Sequence, residues 1–207
     1  MLESKLIKSS QAILKNSTLL ICSGSGMTAD CSLEGDSPSF EGNTVPIFRG
    51  TAGLWKNYPV MRRNLVLFDE FVKESFFKNS PDRFWYVYGD LHNKLTRAIP
   101  HVGYKSLKDI IKISGKQHWI YHDGVDNLYD RSGFDTTNLT QAKGSLFDWQ
   151  CRSCNKIFLN VIDNKPFFIN RINGVANVPT CQNCGSILRP NISLRDDLDW
   201  LETKVNE

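Results

Sequence analysis

The sequence predicts an α/β protein built on a doubly wound sheet, with a cysteine-bearing part of short strands. Three observations carry that expectation. The apolar run Thr18-Leu19-Leu20-Ile21-Cys22 breaks into the glycine-rich turn SGSGMT, the way a doubly wound sheet opens a phosphate site. Helical periodicity at 82–99 and 104–114 is followed by a strand at 118–121, and such alternation marks βαβ units. Two CxxC pairs, Cys151/Cys154 and Cys181/Cys184, fall in a stretch, 146–190, that reads as short strands.

Composition bounds the function classes. A chain of 207 residues fits one domain, or one with a small insert. With 41% hydrophobic and 23% charged residues it is neither disordered, collagenous nor a coiled coil. No apolar run approaches the roughly 20 residues of a membrane helix, so no membrane partner is expected. The N-terminus, MLESKLIKSSQAILKN, is polar throughout; without an apolar core it does not read as a secretory signal, and an intracellular location is expected. The net charge of +3 is small and not gathered into a basic run, which leaves nucleic-acid binding unsupported.

The elements follow in order. Over 1–16, Leu2, Leu6, Ile13 and Leu14 share one side of a helix, flanked by Ile7. At the glycine turn, Gly24 and Gly26 have no Cβ, so backbone N–H groups near Ser25, Met27 and Thr28 can approach a pyrophosphate. A helix starting near Thr28 would add its positive end; a plain strand-to-helix turn explains the same residues. Phe84, Val87, Tyr88, Leu91, Leu95 and Ala98 line one helical face that Pro100 ends, and Leu107, Ile110 and Ile111 line another that Gly115 stops. His118-Trp119-Ile120-Tyr121 is the next strand. The segment SPSFEG at 37–42 echoes VPIFRG at 45–50.

In a chain without an export signal, paired CxxC knuckles read as metal ligands more readily than as disulfides. The spacer 155–180 exceeds the usual range, while the small and polar residues Arg152-Ser153, Gln182-Asn183 and Gly185 suit tight thiolate turns. A four-thiolate zinc site is expected; two disulfides or four free thiols are the other readings.

The order GSGMT, PIFRG, TAGLW, VDNLYDRSGF, KGSLFDWQC and LRPNI resembles the sirtuin family, whose corresponding segments read GAGMS, PDFRG, GLW, TQNVD with an AGF-type turn, HGS and RPNV. The resemblance runs from about residue 17 to 195. It implies a Rossmann-like domain that binds NAD, a smaller module of helices and a zinc ribbon, and an acyl-lysine protein or peptide entering between them. The expected division is 1–50, 100–147 and 188–207 for the NAD-binding domain, 51–99 for the helical part, and 148–187 for the ribbon. Carried over by motif, Gly24, Ser25, Gly26 and Thr28 belong to the dinucleotide loop, with Ser25 where the family has alanine. Phe48 and Arg49 flank the reactive ribose and nicotinamide, and Asp126 holds the nicotinamide carboxamide. Gly144 and Ser145 follow the catalytic position. Cys151, Cys154, Cys181 and Cys184 hold a structural Zn2+.

Four departures bear on activity. The family's catalytic histidine is here Lys143. A histidine near pKa ~6.5 accepts a proton at neutral pH, whereas keeping a lysine neutral costs about 3.4 units, or ~4–5 kcal/mol. Lys143 is therefore a poor base and suits a phosphate or carboxylate as a point charge. The family's TQN becomes His122-Asp123-Gly124: the amide toward the ribose is gone and an ionisable pair is added. His122 as a replacement base is the one rescue the sequence offers. Residues 34–45 resemble an insertion in the cofactor loop. Finally, LRPNI runs into SLRDD where the family continues with strands contacting the adenosine half, so the parallel sheet is expected to be incomplete at its C-terminal end. Two functions compete on this reading. One is a divergent NAD- and zinc-binding relative with lost or much reduced deacylase activity. The other is an active NAD-dependent deacylase or ADP-ribosyltransferase.

Overall fold

A computed structural model describes residues 2–34, 45–46, 54–161 and 166–202. The chain opens with helix α1 (Leu2–Lys15), strand β1 (Thr18–Ser23), helix α2 (Ser25–Ala29) and the short strand β2 (Ser32–Leu33). Helices α3 (Leu54–Asn57), α4 (Pro59–Arg63), α5 (Phe68–Phe71), α6 (Glu74–Asn79) and α7 (Pro81–Arg97) follow, then β3 (Ala98–Ile99), α8 (Val102–Ser114), β4 (Gln117–His122) and α9 (Leu128–Arg131). The last stretch holds β5 (Leu139–Gln141), β6 (Gly144–Cys151), β7 (Lys156–Phe158), β8 (Ile169–Asn170), β9 (Val175–Ala176) and β10 (Arg189–Ile192).

The expected parallel sheet is present, with strand order β1-β4-β5 among the described residues. Thr18 pairs with Gln117 and Ser23 with His122 at the two ends of the β1–β4 register, and His122 pairs with Gln141 across β4–β5. The carboxyl ends of all three strands therefore finish together, at Ser23, His122 and Gln141. In open α/β sheets that end is where ligands bind.

α7 is the central post of the helical part. Phe84, Trp85, Tyr86, Val87, Tyr88, Leu91 and Leu95 are all buried, so this helix is wrapped on nearly every side rather than along one stripe. Its rings build an aromatic core: Tyr88 lies 4.4 Å from Phe84 and 5.2 Å from Phe71, centroid to centroid. Pro81 sits in its first turn, where the missing N–H costs nothing. α8 has a built start and stop: His101 Nδ1 accepts from the Gly103 N–H at 2.9 Å, and Gly115 closes the helix at φ +60. That is the left-handed C-terminal cap glycine favours.

The cysteine-bearing part is an antiparallel sheet of order β10-β6-β7, joined by the β8–β9 hairpin. β6 is longer than the short strands expected at 146–190; its eight residues are buried or nearly so along their whole length. β10 pairs with β6 rather than with the parallel sheet, and its register shifts between Pro190 and Asn191. Trp85 Nε1–H donates to the Leu188 carbonyl at 2.9 Å, pinning the approach to β10 onto α7.

One expectation needs correction. α2 runs Ser25–Ala29, so Thr28 lies in its last turn and not at its start. α1 forms as predicted, but its apolar side is exposed among the described residues, with Leu2 at 73% and Leu14 at 65%. The segments Phe48–Arg49 and 35–44 lie outside the described residues. Among the described residues no helix is long and apolar enough to cross a membrane.

Candidate functional site

The glycine turn opens into a cavity of about 700 Å³ at the carboxyl ends of β1 and β4. Gly24, Ser25 and Gly26 line it together with Asp123, Gly124, Val125 and Lys143. Phe68, Val72, Tyr88, Ile192 and Leu194 add an apolar wall. Backbone bonds fix the polar segments to each other: Asp123 N–H donates to Ser23 O at 2.8 Å, and Ala142 N–H to His122 O at 2.9 Å. Ser193 N–H donates to Lys143 O at 3.0 Å. Gly144, next to Lys143, stands at φ +74, and a Cβ there would lie 2.1 Å from Asn191 O. Only glycine lets β6 start this close to β10.

Lys143 is half-exposed, and its Nζ lies 2.9 Å from Asp123 Oδ1 and 3.0 Å from Oδ2. The two ionisable residues that depart from the sirtuin pattern at this mouth are thus partners of each other. Sequence reasoning treated them as separate departures. Their opposite charges, appearing together in place of a neutral histidine and glutamine, were the available signal.

Behind the cavity wall lies a buried polar cluster. His122 is fully buried; its Nδ1 meets Ser23 Oγ at 2.9 Å and its Nε2 meets Asp126 Oδ2 at 3.0 Å. Tyr129 OH donates to Ser23 Oγ at 2.9 Å. Thr28 Oγ1–H donates to Asp126 Oδ2 at 2.5 Å and Leu128 N–H to Oδ1 at 3.1 Å. Burial pushes the Asp126 carboxyl up, but the hydrogen bond and charge of His122, with the Thr28 and Leu128 donors, outweigh it and hold it below the usual range. With both ring nitrogens engaged, His122 is not placed to take a proton from a ligand in the cavity. Among the described residues lining the cavity, neither Thr28 nor Asp126 is found. Ser145 is buried, and its Oγ accepts from the Phe147 N–H at 3.1 Å.

The four knuckle cysteines converge: one sulfur from each lies within 4.8 Å of all the others. Cys151 Sγ is 3.4 Å from Cys184 Sγ, and Cys154 Sγ is 3.8 Å from Cys181 Sγ. Disulfide sulfurs sit ~2.05 Å apart, so these are thiols. A tetrahedron of ~2.3 Å zinc–sulfur bonds spaces its sulfurs by about 3.8 Å. The residues fit zinc. Gly185, at φ +74, makes the second knuckle turn, with its N–H on Cys181 O at 2.8 Å. Burial pushes the Cys151 thiol up to about 12, while the Ser186 side chain and backbone draw Cys184 down to about 6. A divalent cation between them would favour the thiolate on all four.

The Sir2 family model matches residues 41–198. An NAD-dependent protein deacylase 1 of Archaeoglobus fulgidus is 25% identical over 191 residues, covering 92% of this chain and 64% of the relative. A triple-mutant Sir2 homologue in complex with 2′-O-acetyl ADP ribose superposes with a TM-score of 0.68 at 25% identity, over 92% of this chain and 64% of that one. A Sir2 homologue–NAD complex gives 0.67 at 25% identity, over 92% and 62%. The chain thus spans less than two thirds of the length of these relatives. It belongs to the Sir2 family.

Proposed function

We propose that this protein is a divergent sirtuin-like NAD- and zinc-binding protein whose deacylase activity is lost or much reduced, because Lys143 stands at the position of the family's histidine base. The observation that carries this reading is the Lys143–Asp123 ion pair. An ion pair engages Lys143 as an ammonium, and an ammonium has no lone pair to receive a proton from a ribose hydroxyl. NAD, when bound, supplies an electrophilic ribose carbon from which nicotinamide departs. The chain's own residues serve its two halves unequally. Gly24 and Gly26 leave the backbone open toward a pyrophosphate, and the apolar wall of Phe68, Val72 and Tyr88 suits the stem of an acyl-lysine. Asp126, by contrast, already accepts from His122, Thr28 and Leu128. The cavity fits a phosphate better than a carboxamide.

The domain division proposed with this function is the one expected from sequence. The parallel sheet lies within 1–50 and 100–147, and the four thiols within or beside 148–187, which supports it. β10 touches both parts, pairing Ile192 with Gly144 and Arg189 with Gln150. Phe48 and Arg49, outside the described residues, are proposed beside the ribose on the family motif alone.

Nicotinamide release from NAD in the presence of an acetyl-lysine peptide tests the reading, run beside Lys143→His. Release by the natural protein is expected to stay at the peptide-free background, and the histidine variant to exceed it. Turnover by the natural protein at about 1 s⁻¹ or faster, an ordinary enzyme rate, overturns the proposal.

A further inference from the structure

Gly124 has the tightest surroundings of the glycines lining the cavity. A Cβ built on it would lie 2.2 Å from His122 Nε2, 2.6 Å from His122 Cε1 and 2.8 Å from Asp126 Oδ2. Its backbone faces the cavity, so one peptide layer separates the open space from the buried imidazole. The ring is held on every polar atom, by Ser23 and Asp126, and packs T-shaped against Tyr129 at 5.1 Å between centroids. Glycine at 124 and histidine at 122 are therefore one structural unit: the ring occupies the volume that any side chain at 124 would fill.

We infer that His122 is the specificity-determining residue behind the Gly124 wall of this cavity, a built-in azole that takes the place beside Asp126 which the flat, hydrogen-bonding ring of a ligand would otherwise occupy. Only the identity of the excluded ligand end, an aromatic carboxamide, rests on the proposed function. The occupancy itself rests on the geometry. A ligand taking the place of the ring at Asp126 Oδ2 would have to break a buried hydrogen bond to a charged group. Such bonds contribute enough that affinity should fall roughly 10- to 100-fold.

The test pairs a stability cycle with a titration. Gly124→Ala is made in the natural protein and in His122→Ala. With the ring present, the methyl overpacks a full site, and the melting temperature is expected to drop by roughly 4–8 °C. Without the ring, the same substitution should cost less than half as much. Equal costs in both backgrounds overturn the inference. Nicotinamide and imidazole are then titrated separately into the natural protein and His122→Ala by calorimetry. At least tenfold tighter binding of imidazole to the variant is expected, and equal binding to both overturns the inference. If imidazole gains and nicotinamide does not, the occupancy stands and the carboxamide reading of this place falls. Should His122→Ala not fold, His122→Thr carries the same comparisons, and refolding of either variant by imidazole supports the inference.

Discussion

Gly89 sits inside α7, where helix propensity and packing predict opposite signs for its replacement by alanine. Propensity alone favours alanine by about 1 kcal/mol. Packing opposes it. The new methyl would lie 2.7 Å from Cγ, 2.9 Å from Cδ1 and 3.1 Å from Cβ of Phe167. Phe167 cannot swing away without loss. Its ring stacks on Trp85 at 4.8 Å with an interplanar angle of 14°, and lies 5.5 Å from His92. Its backbone N–H and carbonyl are both bonded to Asn93 at 2.9 Å. Overpacking costs ~1–3 kcal/mol and a disturbed ring pair ~0.5–1.5 kcal/mol. Against the propensity gain, Gly89→Ala should destabilise by about 1–3 kcal/mol, a fall of roughly 3–10 °C in melting temperature for a chain of this size. Urea denaturation with tryptophan fluorescence reads the free energy directly. In Phe167→Ala the added methyl should have room, and Gly89→Ala should then be neutral or stabilising. Stabilisation by about 1 kcal/mol in the natural protein would refute the packing argument.

Other outcomes follow from the same structure. Cys154→Ala leaves three thiolates, and structural zinc contributes ~10–16 kcal/mol to folding of small metal-bound units; the variant should lose the cooperative melt of the β6–β7–β10 sheet and bind substoichiometric zinc by atomic absorption. His92 is buried among Phe147, Trp149 and Phe167, and burial lowers its pKa against the small opposing effect of its bond to Val161 O. The unfolded chain then takes up a proton near pH ~6.5 that the folded one refuses, so stability should fall as pH drops below about 6.5. His92→Gln should flatten that slope in a melting-temperature series from pH 7.5 to 5.5. Arg189 and Asp197 form a buried, two-pronged ion pair, with side chains 2% and 1% exposed. Asp197→Ala strands the guanidinium and should cost about 3–5 kcal/mol in chemical denaturation.

The features legible in the sequence were those whose cause is local. The knuckle cysteines lie three apart because a tight turn aims both sulfurs the same way, and Gly115 stops α8 by taking a left-handed backbone. α7 was readable from Phe84, Val87, Tyr88, Leu91 and Leu95, although Trp85 and Tyr86 are buried too; a one-sided stripe does not reveal a helix wrapped all round. Contacts between segments far apart in the chain stayed hidden. Lys143 and Asp123 are twenty residues apart, and their pairing depends on β6 beginning where β4 ends. The clearance at Gly124 depends on where the His122 ring turns, which spacing does not encode. Thr28 looked like a phosphate-facing residue, yet α2 begins early enough to bury it on Asp126. The pairing of β10 with β6 was also unreadable, because LRPNI carries the same alternation whichever sheet it joins.

β6 joins Gly144 to Cys151 but is broken by a bulge: the adjacent Pro190 and Asn191 of β10 pair with Trp149 and Ser145, so residues 146–148 intervene between its two paired halves. One end borders the lysine at the cavity mouth and the other is a metal-binding thiol. A bulge between two clamped halves absorbs displacement that a straight strand would pass on. Oxidants or chelators that disturb the sulfur tetrahedron are thereby expected to loosen the β6–β7 end while the Gly144 end keeps its pairing with Ile192.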